Sequence, residues 1–600
     1  MRSFALFACL LLAASARSAE RHTFALGDED FLLDGKAFTI MSGEMHPARI
    51  PPLYWRHRIR MAKAMGLNTV ATYVFWNFHE TSEGRFDFTS HERDIGTFMK
   101  MAQEEGMWVL LRPGPYVCAE WEFGGIPAYL LRTPDIKIRC LDPRYMAAAE
   151  RYIRALAAVV KPLQITEGGP ILMVQIENEY GSYGNDRKYL ERLRQVWQQA
   201  GIRVPFYTAD GATSYMLEAG SLPGAAVGLD PGTTDQEFAL ARQMNPGVPV
   251  FGSEIYPGWL THWGEQWQRP VVPDLLRDLQ QLLDKKRSFN LYVVHGGTNF
   301  GFWAGANSGG KGYEPDITSY DYDAPIDEQG RPAPKYTAIR ELISRFRQGA
   351  PPPIPENIPA VAVPAVEMKP FASVWENLPK PIPSVQPKPM EMFEQNFGMI
   401  AYETRLIGRH SGTLKVTEIH DYATVFVDGR YIGKLDRREG IDTLALPKTG
   451  NPKPVLTILV EGMGRINFAQ AMIDRKGITD RVTLDGMTLM NWLVYPLPLR
   501  EDFIRNLKSG RTGDRPGVFF RGTFHLTQPA DTYFDVSGYQ KGLVWVNGHN
   551  LGRYWNIGPQ KRLYCPANWL KTGANELFVF DLHQTEAATV AGFPELESAR

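Results

Sequence analysis

The stretch at residues 168–181, GGPILMVQIENEYG, limits the possible folds of this chain more than any other part of the sequence. It opens with a turn, continues with an apolar run at 171–174, and ends in Glu177, Asn178 and Glu179. A short apolar run bounded by turn signals is typical of a strand buried on both faces in a parallel sheet. Buried acids are costly unless they are paired or used, and barrel enzymes carry their active sites at the carboxyl ends of the strands. The stretch therefore predicts half of a catalytic site at the mouth of a β/α barrel.

The same alternation of strand-like and helical patterns runs through residues 38–347, and glycines close several of the helical patterns. The predicted strands are residues 38–44, 69–76, 108–112, 171–174, 204–208, 225–229, 248–253 and 289–294. The predicted helices are residues 54–65, 91–105, 142–163, 187–200, 272–287 and 335–347. Polar and aromatic clusters follow the strands rather than precede them. This order predicts a (β/α)₈ TIM barrel.

The composition changes after the barrel. Residues 349–390 are rich in proline, which favours an extended connector and argues against a helix or a strand ladder. Further on, glycine and β-branched residues dominate, and VFVDGRYIG at 425–433 is similar to VWVNGHNLG at 544–552. Asp-Gly and Asn-Gly between apolar runs are hairpin turns. The predicted domains are a signal peptide at 1–19, the barrel at 20–348, a connector at 349–395, and two β-sandwiches at 396–499 and 500–600.

The N-terminus has the features of a secretory signal peptide. Arg2 precedes an apolar core at residues 4–14 that is too short to span a bilayer, and small residues at 14–16 and 17–19 offer cleavage sites. We therefore expect export to the periplasm or the medium and no membrane span. The formal net charge is −1 and no basic run stands out, so nucleic acid is not an expected partner. Three cysteines remain after cleavage, which is too few for a disulfide scaffold.

A second carboxylate, Glu254, follows the predicted strand at 248–253 as Glu179 follows the strand at 171–174. The ends of these strands face each other across a barrel mouth. Two acids placed there match glycoside hydrolysis, in which one protonates the leaving oxygen and the other attacks the anomeric carbon or activates water. The distance between them, which decides between retention and inversion, cannot be read from sequence. On the residues alone, either Glu177 or Glu179 fits the role of acid.

Several motifs resemble those of the β-galactosidases of glycoside hydrolase family 35. They are TYVFWNFHE, RPGPYVCAEWEFGGIPAYL, GGPILMVQIENEYGSYG, GSEIYPGWLTHWG and GGTNFGFWAGAN followed by TSYDYDAP. The similarity covers most of residues 38–325 in order, and the later β-domains resemble that family's jelly-roll, galactose-binding-like domains more loosely. It implies an exo-acting, retaining β-galactosidase that needs no cofactor or metal.

The resemblance also implies a role for individual residues. Glu179 would be the acid/base and Glu254 the nucleophile, which leaves Glu177 as a structural partner. The residues expected to bind the galactoside substrate are Tyr73, Cys118, Ala119, Glu120, Asn178, Tyr256, Trp259, Tyr292, Tyr320 and Tyr322.

Two alternatives differ from this interpretation. An exo-glycosidase for another β-sugar, such as glucosamine, would keep both acids and change the hydroxyl-binding residues. A non-catalytic carbohydrate-binding protein would have lost one of the acids, and here both are present. The oligomeric state, the linkage preference and the natural substrate are not predicted by any motif.

Overall fold

The computed structural model describes residues 22–309, 312–347, 349–510 and 513–596. The predicted signal peptide lies outside these residues. Within the described part of the chain, no helix combines the length and apolarity needed to cross a bilayer.

Eight parallel strands close into a barrel, so the predicted TIM barrel is confirmed. The strand predicted at 225–229 is part of it, as Ala226–Asp230. The strands are β1 (Met41–Glu44), β2 (Thr69–Tyr73), β3 (Trp108–Arg112), β4 (Ile171–Gln175), β5 (Phe206–Gly211), β6 (Ala226–Asp230), β7 (Val250–Ile255) and β8 (Phe289–Leu291). Pairing of β8 with β1 closes the ring. Almost every strand residue is buried, because side chains fill the interior and helices cover the outside.

Helices follow the barrel strands and cover them. In the described residues the longer ones are α1 (Trp55–Ala64), α2 (Ile95–Glu104), α3 (Pro143–Val160), α4 (Arg187–Gln199), α5 (Ser214–Gly220), α6 (Asp235–Met244), α7 (Val272–Asp284) and α8 (Pro334–Arg347). The sequence patterns missed α5 and α6. The start of α6 does carry a usable signal, because Thr234 and Glu237 form a capping box that satisfies the first free N–H groups.

The first β-domain packs a six-stranded sheet on a four-stranded one. The larger sheet has the order Ile382–Ser384, Trp492–Leu497, Gly398–Arg405, Val455–Gly462, Tyr422–Val427 and Arg430–Asp436. The smaller has the order Thr443–Leu446, Gly412–Val416, Val482–Leu484 and Met487–Thr488. A separate buried cluster of apolar side chains, most of them aliphatic, fills the space between them.

The second β-domain has the same two-layer plan. Its five-stranded sheet has the order Lys369–Ser373, Val518–Leu526, Gly573–Asp581, Lys541–Val546 and His549–Trp555. Its four-stranded sheet has the order Val363–Val366, Val590–Phe593, Thr532–Asp535 and Arg562–Cys565. The two predicted hairpins are present, with Asp428-Gly429 and Asn547-Gly548 at positive φ in their turns.

The proline-rich connector forms strands, so the expectation that its prolines exclude ladder pairing is wrong. Val363–Val366 and Lys369–Ser373 pair with the second β-domain, and Ile382–Ser384 pairs with the first. All three are edge strands, and the first two pair through a register shift. A proline lacks only the N–H, so an edge strand or a bulge accepts it where a central strand does not. The connector therefore joins both sandwiches as part of their sheets.

Candidate active site

The two predicted catalytic acids come together at the carboxyl ends of the barrel strands. Glu254 lies in β7, and Glu179 lies four residues beyond β4 in a left-handed backbone conformation with φ 46°. One carboxylate oxygen of each lies within 4.8 Å of the other. Retaining glycosidases hold their two carboxyl groups about 5–5.5 Å apart, whereas inverting ones leave about 6.5–9.5 Å for a water molecule. The spacing favours direct attack by one of the two acids.

Three donors surround the Glu254 carboxylate. The Arg112 guanidinium forms a buried ion pair with it, and the hydroxyls of Tyr256 and Tyr73 lie 3.1 Å and 3.3 Å from its oxygens. Burial and the Glu44 charge raise the pKa of Glu254, and the Arg112 charge and the hydrogen bonds from Arg112 and Tyr256 act against that rise. Because it has a cation in direct contact, Glu254 is the acid that the site holds ionised.

Glu179 has a different environment. The Asn178 amide donates to it, with Nδ2 3.0 Å from Glu179 Oε1. Burial, together with the nearby charges of Asp230 and Glu254, raises its pKa well above the ordinary value. Glu179 is therefore the acid that keeps a proton at neutral pH. A protonated and an ionised carboxyl side by side are the two forms that a retaining glycosidase needs.

Glu177 faces away from the mouth. Its carboxylate accepts two hydrogen bonds from Arg139 at 2.8 and 3.0 Å and one from the Tyr189 hydroxyl at 2.9 Å. Glu177 and Glu179 both have positive φ, so the alternation that places residues two apart on one face does not hold here. The backbone turn separates the two acids that the sequence left as alternatives.

The other predicted site residues lie around the two acids. Tyr73 ends β2, and its hydroxyl lies 3.0 Å from Asn178 Oδ1. Cys118, Ala119 and Glu120 form a loop after β3 in which all three have positive φ, and the Tyr320 hydroxyl donates to Glu120. The aromatic wall is continuous, because ring centroids of its neighbouring members lie 5.0–6.4 Å apart. Its members are Tyr256, Trp259, Tyr292, Tyr320 and Tyr322. Trp259 is 43% exposed and lies at the rim.

Sequence reasoning missed several residues that hold this site together. Arg112 bridges Glu254 to Glu44 and also donates to Asn178 Oδ1 at 2.9 Å. Asn290 Nδ2 donates to Glu44 at 2.8 Å. Arg49 donates to the Ala119 carbonyl and lies 3.6 Å above the Tyr320 ring. The usable signal was the one that found Glu254: a polar residue that closes an apolar barrel strand, as Glu44 and Arg112 do.

The first β-domain also reaches the site. Asn467 is fully buried, and its Nδ2 lies 3.5 Å from the Cys118 thiol while its carbonyl accepts from the Tyr116 hydroxyl at 2.6 Å. Burial raises the pKa of Cys118 well above its usual range, so the thiol stays protonated. The loop that carries three predicted substrate-binding residues is thus supported from a second domain.

Three groups of side chains have the spacing of metal ligands in the described residues. They are Glu179, Asp230 and Glu254; His262, Glu265 and Glu314; and His420, Asp421 and Asp474. Positively charged side chains of the protein form ion pairs with two of these groups. Arg112 binds Glu254, and Lys476 Nζ lies 2.7 and 2.8 Å from Asp421 and Asp474.

A TIM barrel with two adjacent carboxylates at its mouth, lined by aromatic rings, defines the class of barrel glycoside hydrolases. The sequence profile of Glycosyl hydrolases family 35 matches residues 30–346. Profiles described as the first all-beta domain and the galactose-binding domain of β-galactosidase match residues 387–498 and 517–575. The chain therefore belongs to glycosyl hydrolase family 35.

Two curated relatives are similar along nearly their whole length. A protein of Xanthomonas manihotis named β-galactosidase is 42% identical over 565 residues, which are 93% of this chain and 94% of the relative. A mouse protein of the same name is 39% identical over 604 residues, 94% of this chain and 92% of the relative. The similarity includes the barrel and both β-domains.

Proposed function

We propose that this glycoside hydrolase is an exo-acting, retaining β-galactosidase that releases terminal non-reducing β-D-galactose from oligosaccharides or polysaccharides. The observation that carries the proposal is the proximity of two carboxyl groups with different partners. One oxygen of Glu254, which is buried and pairs with Arg112, lies within 4.8 Å of one oxygen of Glu179, which forms no ion pair in the described residues. The names of the curated relatives support galactose as the sugar.

In the first step Glu254 attacks the anomeric carbon. The bond from Glu254 Oε to C1 forms, the bond from C1 to the aglycone oxygen breaks, and the Glu179 proton goes to that oxygen. Arg112, Tyr73 and Tyr256 orient the nucleophile before attack. In the second step Glu179, now ionised, takes a proton from water, whose oxygen attacks C1 and releases Glu254 and galactose.

The shape of the site suits one terminal sugar. Glu120, Asn178 and the Tyr73 hydroxyl are buried polar groups that face the acids and can accept or donate to ring hydroxyls. The rings of Tyr292, Tyr320 and Tyr322 are buried and pack against one another, and the hydroxyls of Tyr292 and Tyr320 lie 3.1 Å apart. A buried aromatic wall of this kind beside the acids favours exo cleavage.

A panel of nitrophenyl β-glycosides tests the proposal, with Glu254→Gln beside the wild type. We expect hydrolysis of the galactoside by the wild type alone, and proton NMR should show β-galactose as the first product. Cleavage of a glucosaminide or another glycoside instead would overturn the sugar assignment. Silence on every glycoside and on natural galactosyl oligosaccharides would support the non-catalytic binding protein.

The same proposal includes export to the periplasm or the medium, supported by the charged start, short apolar core and small-residue sites at residues 1–19. Expression of the full chain in a bacterial host followed by cell fractionation and N-terminal sequencing tests it. We expect a mature chain that begins near Arg17 or Glu20. An uncleaved chain retained in the cytoplasm would contradict it.

A further inference from the structure

A third carboxylate, Asp230, lies beside the two catalytic acids and was not predicted from the sequence. It closes β6 as Glu254 lies near the end of β7, and one oxygen of each of Glu179, Asp230 and Glu254 lies within 4.8 Å of the others. Glu254 is buried and the other two are half-buried, and three carboxylates at this spacing and depth cannot all be ionised without a repulsive cost. The distribution of protons among them therefore needs a structural cause.

The hydrogen bonds around the three acids decide which one is ionised. The Tyr256 hydroxyl contacts both Asp230 Oδ1 and Glu254 Oε2, and it has one proton to donate. Arg112 pairs with Glu254. Among the described residues, no hydrogen bond or ion pair joins an arginine or lysine to Asp230 or to Glu179. The negative charge is therefore best held on Glu254, and a proton is left for the other two acids.

We propose that Asp230 is a positioning residue that keeps the catalytic proton at the mouth by sharing it with Glu179. This inference rests on the proposed function and deepens it. Burial and the Glu254 charge raise the pKa of Asp230 to about 8, while hydrogen bonds with Tyr256 and Glu179 and the charge of Arg112 act against the rise. Among the charged neighbours of Glu179, Asp230 makes the largest contribution to its raised pKa.

Other charged and titratable groups face this pair from every neighbouring strand end, and they are common to all the variants below. They are Tyr73, Arg112, Tyr116, Cys118, Glu120, Arg139, Asp210, Glu254, Tyr256 and Tyr322.

The shared proton gives Glu179 its two successive roles. Before the reaction the charge on Glu254 favours retention of the proton on the Glu179–Asp230 pair. When Glu254 forms its ester with C1 that charge is lost, as the proton moves from Glu179 to the aglycone oxygen. Glu179 and Asp230 then face no third anion, so both can be ionised and Glu179 acts as the base in the second step.

The test is the pH profile of Asp230→Asn with two aryl galactosides of different leaving groups. The asparagine amide can donate to Glu179 and carries no charge, so the pKa of Glu179 should fall. For 4-nitrophenyl galactoside we expect the alkaline limb of kcat/KM to move to lower pH by about one unit. The leaving group of 2,4-dinitrophenyl galactoside needs no proton, so for this substrate we expect kcat/KM of Asp230→Asn to stay within about threefold of wild type above neutral pH.

Glu328→Gln is the matched control. Glu328 is buried, and burial raises its pKa to about 8. Its carboxylate accepts a hydrogen bond of 2.6 Å from the Thr298 hydroxyl and does not contact the catalytic acids. The Glu328→Gln variant loses the same kind of acid, so the alkaline limb of its pH profile should match that of the wild type. An unshifted limb in Asp230→Asn, or an equal loss for both substrates at every pH, would overturn the proposal. A wild type without galactosidase activity would count against the proposed function instead.

A measurement on the wild type covers the case in which Asp230→Asn does not fold. A 2-deoxy-2-fluoro-galactoside with a dinitrophenolate leaving group forms the ester on Glu254 and releases an anion that takes up no proton at pH 7.5. Loss of the Glu254 charge should then release part of a proton from the Glu179–Asp230 pair into a weakly buffered solution. Inactivation without proton release would overturn the inference.

Discussion

Arg465 of the first β-domain forms a buried ion pair with Glu122 of the barrel, four residues beyond Cys118. The Arg465 backbone N–H also donates to Glu122 Oε2 at 2.7 Å, and its guanidinium contacts Glu391 at 2.5 Å. Asn467 follows two residues later and reaches the Cys118 thiol. The first β-domain is therefore joined to the loop that carries three predicted substrate-binding residues.

We expect Arg465→Ala to lower the free energy of unfolding by about 3–5 kcal/mol, because it leaves Glu122 and Glu391 buried without their cation. Urea denaturation followed by fluorescence measures the change. Activity should fall as well, since the loop at 118–120 loses a support.

Arg521→Ala is the control for this variant. Arg521 pairs with Glu576 at 2.5 Å on the surface, where both side chains are more than a third exposed. Removal of an exposed pair should cost less than about 1 kcal/mol. Equal losses in the two variants would contradict the role assigned to Arg465.

Glu179→Gln and Glu177→Gln should differ in their dependence on the leaving group. The first removes the proton donor, so we expect kcat/KM for 4-nitrophenyl galactoside to fall by a factor of about 10²–10⁴, with a much smaller effect on the first step for the dinitrophenyl substrate. The second leaves Arg139 without its partner, so we expect loss of stability and an equal effect on both substrates. Stopped-flow release of the phenolate and urea denaturation separate the two effects.

The positions of Glu179 and Glu254 follow from local sequence, because an apolar run that ends in an acid predicts both a buried strand and a group at its carboxyl end. Contacts across the barrel do not follow in this way. Arg112 and Glu254 are 142 residues apart. Each strand end shows a polar residue in the sequence, but its partner is defined only by the closed barrel. Asp230 was missed for a different reason, because it closes the strand with the weakest local sequence pattern.

The proline-rich connector shows the limit of a composition rule. Pro370 and Pro383 lie in strands at the edges of two sheets, where one side of the backbone has no partner strand. The proline content shows that these segments cannot form central strands. It does not show which sheet edge elsewhere in the chain has an unpaired side with which the segment can pair.

Cys118 should be dispensable as a reactive group. Burial raises the pKa of its thiol, and the protonated thiol is a poor nucleophile. We expect Cys118→Ser to change kcat/KM by less than about tenfold, since the contact with Asn467 is one weak hydrogen bond of about 1 kcal/mol. Iodoacetamide at pH 7 should leave activity intact, with mass spectrometry to locate any label. Half-buried Cys140 serves as the internal comparison. Labelling of Cys118 in step with loss of activity would contradict this.

Stability should fall in mild acid through a buried histidine. His79 stacks on Phe88 and is 2% exposed, and burial lowers the pKa of its imidazole from 6.5 to about 4. Between pH 6.5 and about 4 the unfolded chain binds a proton at His79 that the folded chain does not bind. The contribution of the neutral His79 to the free energy of unfolding is therefore complete above pH 6.5 and is lost as the pH falls to about 4.

The free energy of unfolding should rise with pH between 4 and 6.5, and we expect His79→Asn to lower the slope of this rise by up to about 1.4 kcal/mol per pH unit, because one titrating group is lost. Asparagine can still donate to the Phe75 carbonyl, which the His79 Nδ1 contacts at 2.9 Å. Urea denaturation at pH 6.5, 5.5 and 4.5 gives the slopes of wild type and variant, and exposed His91→Asn is the control. A slope that is the same in wild type and His79→Asn would show that His79 takes up its proton without unfolding.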